Sequence, residues 1–214
     1  MDTRNYSLFD SLLMQVDKAV RTVFGSPPLT ERPDPAAGIG EAELAAADRR
    51  RAAALMRVNH AGEVSAQALY QGQALTAKLT EVRGKMERAA LEENDHLAWC
   101  ERRLQELDSH TSLLNPLWYA GSFAIGAVAG LAGDRWSLGF VVETERQVVQ
   151  HLEEHLARLP EQDGRSRAIL EQMKQDETHH ATAALNAGAA DLPDPVKRLM
   201  KLTSKVMTTT AYFT

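Results

Sequence analysis

Between residues 6 and 24 apolar side chains recur at Phe9, Leu12, Leu13, Val16, Val20, Val23 and Phe24, a spacing that gathers them on one helix face. Half of the eight prolines follow at once, Pro27, Pro28, Pro33 and Pro35, and predict an extended connection as far as Gly40. Beyond it the pattern is helical, with long segments near 41–77, 81–108, 135–159 and 163–188. A shorter one near 195–207 sets Val196, Leu199, Met200 and Met207 against Lys197, Arg198, Lys201 and Lys205. Breakers separate these segments: Pro160 and Gly164 after the third, then Gly188, Pro193 and Pro195 after the fourth. No two-residue alternation competes, so an all-α chain is expected. It divides into an N-terminal amphipathic helix with a proline-rich linker (1–40) and a helical bundle (41–214).

One stretch breaks the amphipathic rule. Leu113 to Gly133 carries no charge and holds Trp118, Tyr119, Phe123, Ile125, Val128 and Leu131, interrupted by Pro116 and four glycines. Its length alone permits a membrane span. The start of the chain, by contrast, is interrupted by Asp2, Asp10 and Asp17 and resembles neither a secretory signal nor a transit peptide.

Composition adds restrictions. The 214 residues are 44% hydrophobic and 25% charged, an ordinary globular mix that excludes collagen-like, disordered and polytopic membrane classes. A net charge of −5 presents no basic surface, so no nucleic-acid partner is expected. Cys100, the single cysteine, excludes an internal disulfide and every cysteine-based metal site, and fits a reducing compartment.

The 29 acidic residues have a pattern among them. Glu93-Asn-Asp-His96 and Glu177-Thr-His-His180 each put a carboxylate and an imidazole three residues apart, on one helix face. With 17 Glu and 7 His, chance alone supplies about 0.6 such pairs, so two are weak evidence by themselves. The larger repeat is stronger: Glu63 precedes Glu93 by 30 residues and Glu145 precedes Glu177 by 32. One Glu from each of two helices plus Glu-x-x-His from each of two others is the ligand set of ferritin-like di-iron or di-manganese bundles. Four carboxylates offset two divalent cations, and oxygen with imidazole suits iron or manganese.

Helix phase selects Glu145 over Glu143. Positions three, four, seven and eleven beyond Glu145 are Val148, Val149, Leu152 and Leu156, whereas those beyond Glu143 are Arg146, Gln147, Gln150 and Glu154. A carboxylate on an apolar stripe needs a cation or partner. Glu92 and Asp176 directly precede the paired glutamates, and metal-bound imidazoles usually donate their free N–H to a carboxylate. Asp176 is therefore expected to meet His96, and Glu92 to meet His180. His151 and Tyr70 are near enough in register for outer support, while His60, His110, His155 and His179 read as structural or exposed.

The run Leu55-Met56-Arg57-Val58-Asn59-His60-Ala61-Gly62-Glu63, with Glu93-Asn-Asp-His96, Glu145 and Glu177-Thr-His-His180, resembles the demethoxyubiquinone hydroxylase family of ubiquinone biosynthesis over residues 45–214. The first helix and proline-rich region lie outside that resemblance. It implies O2-dependent hydroxylation of a polyprenylated demethoxyubiquinol ring at a non-haem di-iron site. Glu63, Glu93 and His96 would be ligands of one Fe ion and Glu145, Glu177 and His180 of the other, with Glu93 and Glu177 bridging. No catalytic residue beyond the metal ligands is implied. No Gly-x-Gly-x-x-Gly fingerprint follows a strand, so the residues identify no electron donor.

A joint metal site also bears on the uncharged stretch. A full span through Leu113–Gly133 would put Glu63, Glu93 and His96 across the bilayer from Glu145, Glu177 and His180. An interfacial segment is expected instead, with Trp118 and Tyr119 at headgroup depth, on the cytoplasmic side of a bacterial cell membrane. The rival readings are a ferroxidase or peroxide-scavenging bundle with the same ligands, and a non-catalytic helical membrane adaptor.

Overall fold

A computed structural model describes residues 8–25, 28–30 and 32–214. Among the described residues there are seven helices and no strand: α1 (Leu8–Phe24), α2 (Ala46–Thr76), α3 (Thr80–Glu106), α4 (Asn115–Leu131), α5 (Asp134–Arg158), α6 (Gly164–Asn186) and α7 (Asp194–Phe213). Tyr6 and Pro27 of the predicted elements lie outside the described residues, as do the side chains of Phe9 and Leu12.

Four helices, α2, α3, α5 and α6, form a bundle with two apolar layers. One layer gathers Leu55, Met56, Trp99, Leu104, Leu152, Leu156, Leu170 and Met173. The other gathers Tyr70, Met86, Leu138, Val141, Val142 and Ala184. Each of the four helices contributes to both layers, and between its two contributions lies one buried glutamate: Glu63, Glu93, Glu145 and Glu177 respectively. Burying each large aliphatic side chain contributes about 1.5–3 kcal/mol, which helps offset holding carboxylates at the middle of the bundle.

The helix ends have local causes. Asp163 caps α6 by accepting from Ser166 N at 3.0 Å. Arg103, 1% exposed, donates to Asp163 Oδ1, Ser166 Oγ and Glu41, tying the end of α3 to the start of α6. The long helix expected from residue 41 begins at Ala46, because Glu41 is occupied by this ion pair rather than by a first helical turn. Helix α7 continues to Phe213, well past the expected end at 207. Thr210 Oγ1 donates back to Val206 O at 2.8 Å, and Ala211 is fully buried in a cluster with Val58 and Ala61. That burial carries the helix through a threonine run that is weakly helix-forming on its own.

The uncharged stretch forms α4, which lies along α2 at very close range. A Cβ on Gly126 would meet Leu69 O at 2.3 Å, and one on Gly72 would meet Phe123 O at 2.3 Å, so only glycine allows this approach. The opposite face exposes Leu117, Ile125, Val128 and Leu131. No described helix is long and apolar enough to cross a membrane. Tyr119 is not at a surface as expected: it is 7% exposed, stacks on Phe123 and donates to Gln71 Oε1. A buried glutamine needs that hydroxyl. Trp118 is half-buried against Val58 and Ala61.

The proline-rich segment is not a free connection. Ala36 joins the first apolar layer, Arg102 binds Asp34 at 2.5 Å, and Arg165 Nη1 donates to Ile39 O at 2.7 Å. Helix α1 packs Ala19 and Val23 against Val64, Ala68 and Leu97, leaving Leu13, Val16, Val20 and Phe24 exposed.

Candidate metal centre

The four glutamates and two histidines foreseen from spacing converge on one place. Their ligand atoms fall into two groups, Glu63/Glu93/His96/Glu177 and Glu93/Glu145/Glu177/His180, with the atoms of each group lying within 4.8 Å of one another. Glu93 and Glu177 belong to both. His96 Nδ1 is 3.1 Å from Glu93 Oε2, 3.1 Å from Glu177 Oε1 and 3.4 Å from Glu63 Oε2. His180 Nδ1 is 3.1 Å from Glu177 Oε2 and 3.4 Å from Glu93 Oε1. Each shared carboxylate thus turns one oxygen to each imidazole.

Both imidazoles point Nδ1 inward and Nε2 outward. His96 Nε2 lies 2.8 Å from Asp176 Oδ2, and His180 Nε2 lies 2.7 Å from Glu92 Oε2. Each partner therefore comes from the helix carrying the other imidazole. Against the cost of burial, His96 and Arg32 hold Asp176 down to about 2. His180 does the same for Glu92, with Arg88 adding to it, again to about 2.

Tyr70 donates its hydroxyl to Glu145 Oε1, and burial and that carboxylate push the phenol well above its usual range. It thus supports Glu145 on α5 rather than Glu63 on its own helix. His151 bonds to none of the six residues; its ring lies 3.9 Å from that of His155 and its Nε2 is buried without a hydrogen-bond partner. Glu143, which phase excluded, is half-buried and accepts from Gln147 at 2.7 Å.

The charge pattern is severe. Burial and the neighbouring Glu93 push Glu63 far above the carboxylate range, and burial with Glu177 does the same to Glu145. Glu93 stays well below that range because contact with His180 and His96 outweighs its burial. His96 is raised well above the imidazole range, the surrounding carboxylates overcoming desolvation. Glu63 Oε2, Glu93 Oε1, Glu145 Oε2 and Glu177 Oε1 are buried and accept no hydrogen bond. Orphan buried carboxylate oxygens are costly unless a cation meets them. Four such oxygens with two inward Nδ1 atoms are the donor set for two hard divalent cations, so the residues fit a di-metal centre.

Sequence reasoning missed several groups around the cluster. Gln67 Nε2 donates to Asn94 Oδ1 at 2.6 Å, His155 Nδ1 lies 2.8 Å from Asn59 Oδ1, and Arg32 reaches Asp176 at 2.7 Å. None has a spacing signal, because each pair joins different elements. A cavity of 520 Å³ adjoins the cluster between α2, α4, α5 and α7; Glu63 and His151 line it, with Trp118, Ile125, Phe140 and Leu199. Several of its lining residues, including Leu117, Ile125 and Leu199, are exposed, so the cavity opens between α4 and α7.

The bundle and its paired clusters define a ferritin-like carboxylate–histidine protein. A bacterioferritin-related protein from Bacteroides fragilis, described as a dodecameric thioferritin, shares the fold at a TM-score of 0.50 and 20% identity; the match covers 62% of this chain and 82% of that one. The family model for ubiquinone biosynthesis protein COQ7 matches residues 50–211. Curated relatives named 3-demethoxyubiquinol 3-hydroxylase include those of Nitrosococcus oceani (62% identical, all of both chains), Acinetobacter baumannii (57%, covering 98% of this chain and 99% of that one) and Polynucleobacter necessarius (58%, 96% and 99%). This chain belongs to the COQ7 family of ubiquinone biosynthesis proteins. Likeness at full length also takes in the first helix and proline-rich segment, which the motifs alone left outside.

Proposed function

We propose that this chain is a 3-demethoxyubiquinol 3-hydroxylase: it inserts one oxygen atom of O2 into a ring C–H of a polyprenylated demethoxyubiquinol, while the other leaves as water with two electrons and two protons. The observation that carries the reading is the double sharing of Glu93 and Glu177 in a cluster whose Glu63 lines an apolar cavity, in a family member similar over its whole length to named hydroxylases.

Glu63, Glu93 and His96 would hold one iron ion and Glu145, Glu177 and His180 the other. Two reduced irons there would supply the electrons and open positions that activate O2. The chain supplies the rest. Asp176 and Glu92 orient the imidazoles, Tyr70 fixes the carboxylate of Glu145, and the cavity walls shield the ring from water. Counted with two Fe2+, the net charge of −5 becomes about −1.

The quinol enters from a membrane surface in this reading. Leu117 and Ile125 of α4 and Val196 and Leu199 of α7 are exposed at the cavity, further apolar side chains are exposed on the same two helices (Val128, Leu131, Leu202 and Val206), and α7 also carries Lys197, Arg198, Lys201 and Lys205. The chain would lie peripherally on the cytoplasmic face of the cell membrane. A long-tailed substrate could then reach Glu63 without leaving lipid.

Anaerobic reconstitution with Fe2+, followed by O2 and a demethoxyubiquinol, tests the activity by mass spectrometry. One added oxygen that becomes heavy with 18O2 is the expected product. Oxidation of iron with no oxygen added to the quinol would assign the chain to the ferroxidase alternative.

A further inference from the structure

Both outer carboxylates are themselves held by an arginine, but by arginines of different standing. Glu92 Oε1 accepts from Arg88 Nε at 2.7 Å, one turn away on the same helix, and Arg88 is 67% exposed. Asp176 Oδ2 accepts from Arg32 Nη1, also at 2.7 Å, across 144 residues of sequence. Arg32 stands in the proline-rich segment, and its whole fork is in use. Nε donates to the buried Asp95 at 2.7 Å, Nη2 donates to Glu92 O at 3.3 Å, and the guanidinium lies 5.1 Å from the centre of the Trp99 ring. Trp99 in turn lies 5.4 Å from the His96 ring. Thr30 N donates to Asp95 Oδ1 at 2.8 Å, and Asn94 Nδ2 donates to Pro28 O at 2.8 Å, so the residues just before the arginine are anchored to the same stretch of α3.

We propose that Arg32 is a positioning residue for the di-iron centre: by clamping Asp176 against His96 it makes the Glu63/Glu93/His96 position the tighter of two unequal iron sites. The physical reason is pre-organisation. Asp176 must keep Oδ2 at the His96 Nε2 atom for Nδ1 to stay aimed inward, and a planar guanidinium fixed by Asp95, Glu92 O and Trp99, donating one N–H to that half-buried carboxylate, restricts it far more than an exposed neighbour does. On the His180 side the Glu92 carboxylate has only the exposed Arg88 pair, of a kind that contributes little, and Arg32 reaches only the Glu92 backbone carbonyl. The segment before the bundle is thereby part of the centre's support, although it supplies no ligand.

The inference rests on the two-iron reading, and the test separates the two. Full-length protein is titrated anaerobically with Fe2+ and followed by calorimetry and by the ligand-field bands of the ferrous ions in magnetic circular dichroism. In a Glu145→Ala background, which leaves the His96 position, Arg32→Gln is expected to weaken Fe2+ binding about 10- to 100-fold and to shift the bands. In a Glu63→Ala background, which leaves the His180 position, the same change is expected to alter affinity less than about fivefold. Arg32→Lys, which keeps the charge but not the fork, should recover less than the full affinity, and it carries the test if the glutamine variant does not fold. Equal weakening in both backgrounds, or no weakening with unchanged bands, overturns the positioning role while leaving the centre intact. Wild-type protein that binds no Fe2+ overturns both readings.

Discussion

Around His96 the outer carboxylate is Asp176 from α6; around His180 it is Glu92 from α3. The inner sides of these two half-sites are near copies, with the same pair of shared carboxylates and the same Nδ1 orientation. Their outer sides differ in everything beyond the first carboxylate. One is backed by an arginine from a remote, anchored segment, and the other by an exposed arginine one turn away. Even the unshared glutamates differ: Glu145 receives the hydroxyl of Tyr70, whereas Glu63 faces the apolar cavity. A repeated ligand pattern therefore fixes what the two positions can bind without making them equivalent.

The strongest way to break the pairing is to remove a shared ligand. Glu177→Ala is expected to reduce iron from about two per chain to none, by metal analysis, because the carboxylate serves both positions. Glu145→Ala should retain about one, and Glu143→Ala, outside the cluster, should retain both. Equal loss in Glu143→Ala and Glu145→Ala would contradict the helix-phase argument.

Next come the outer carboxylates. Asp176→Asn and Glu92→Gln should each weaken Fe2+ binding by about 10- to 100-fold, with Asp176→Asn the larger effect if the Arg32 clamp matters. Competition with a coloured Fe2+ chelator measures both. Tyr70→Phe takes away the hydroxyl that Glu145 accepts and should cost about tenfold at the His180 position only, as hydrogen bonds to charged groups contribute about 1.5–3 kcal/mol. An equal loss at the His96 position would show that Tyr70 acts through the bundle as a whole.

The smallest effect contrasts the cluster imidazoles with a buried one outside it. His60 is fully enclosed by α2 and its neighbours, accepts from Asn115 at 3.4 Å, and is lowered by burial from 6.5 to about 4. Below about pH 6.5 the unfolded chain takes up a proton that the folded chain refuses, so stability falls with pH towards 4. Between about pH 7 and about pH 5.5 this amounts to about 1 kcal/mol. His60→Asn, which keeps an acceptor for Asn115, should flatten that part of a urea-denaturation profile by the same amount. An unchanged slope would assign the acid sensitivity elsewhere.

Much of this molecule follows from positions that repeat along a helix. The 3.6-residue period places Glu145 and not Glu143 among Val148, Leu152 and Leu156, and three-residue spacing makes Glu93 with His96, and Glu177 with His180, act as pairs. The crossing of Asp176 to His96 and Glu92 to His180 was equally readable, since the repeat itself relates the two hairpins. Helix ends were less so: α7 runs to Phe213 because Ala211 is buried by α2, which no local propensity reveals.

Other features have no period to read. Arg32 looks like one more charge among prolines until folding brings it to Asp95 and Asp176, 63 and 144 residues away. Gly126 reads only as an interruption of the uncharged stretch, and Gly72 carries no signal within its long helix, until α4 lies along α2 at backbone contact distance. Tyr119 reads as an interfacial aromatic until Gln71 claims its hydroxyl. Local spacing encodes which side chains share one helix face, because that follows from a single backbone's geometry. Which faces meet, and which loop residue is trapped between them, depends on packing several helices at once, and that information exists only in the assembled bundle.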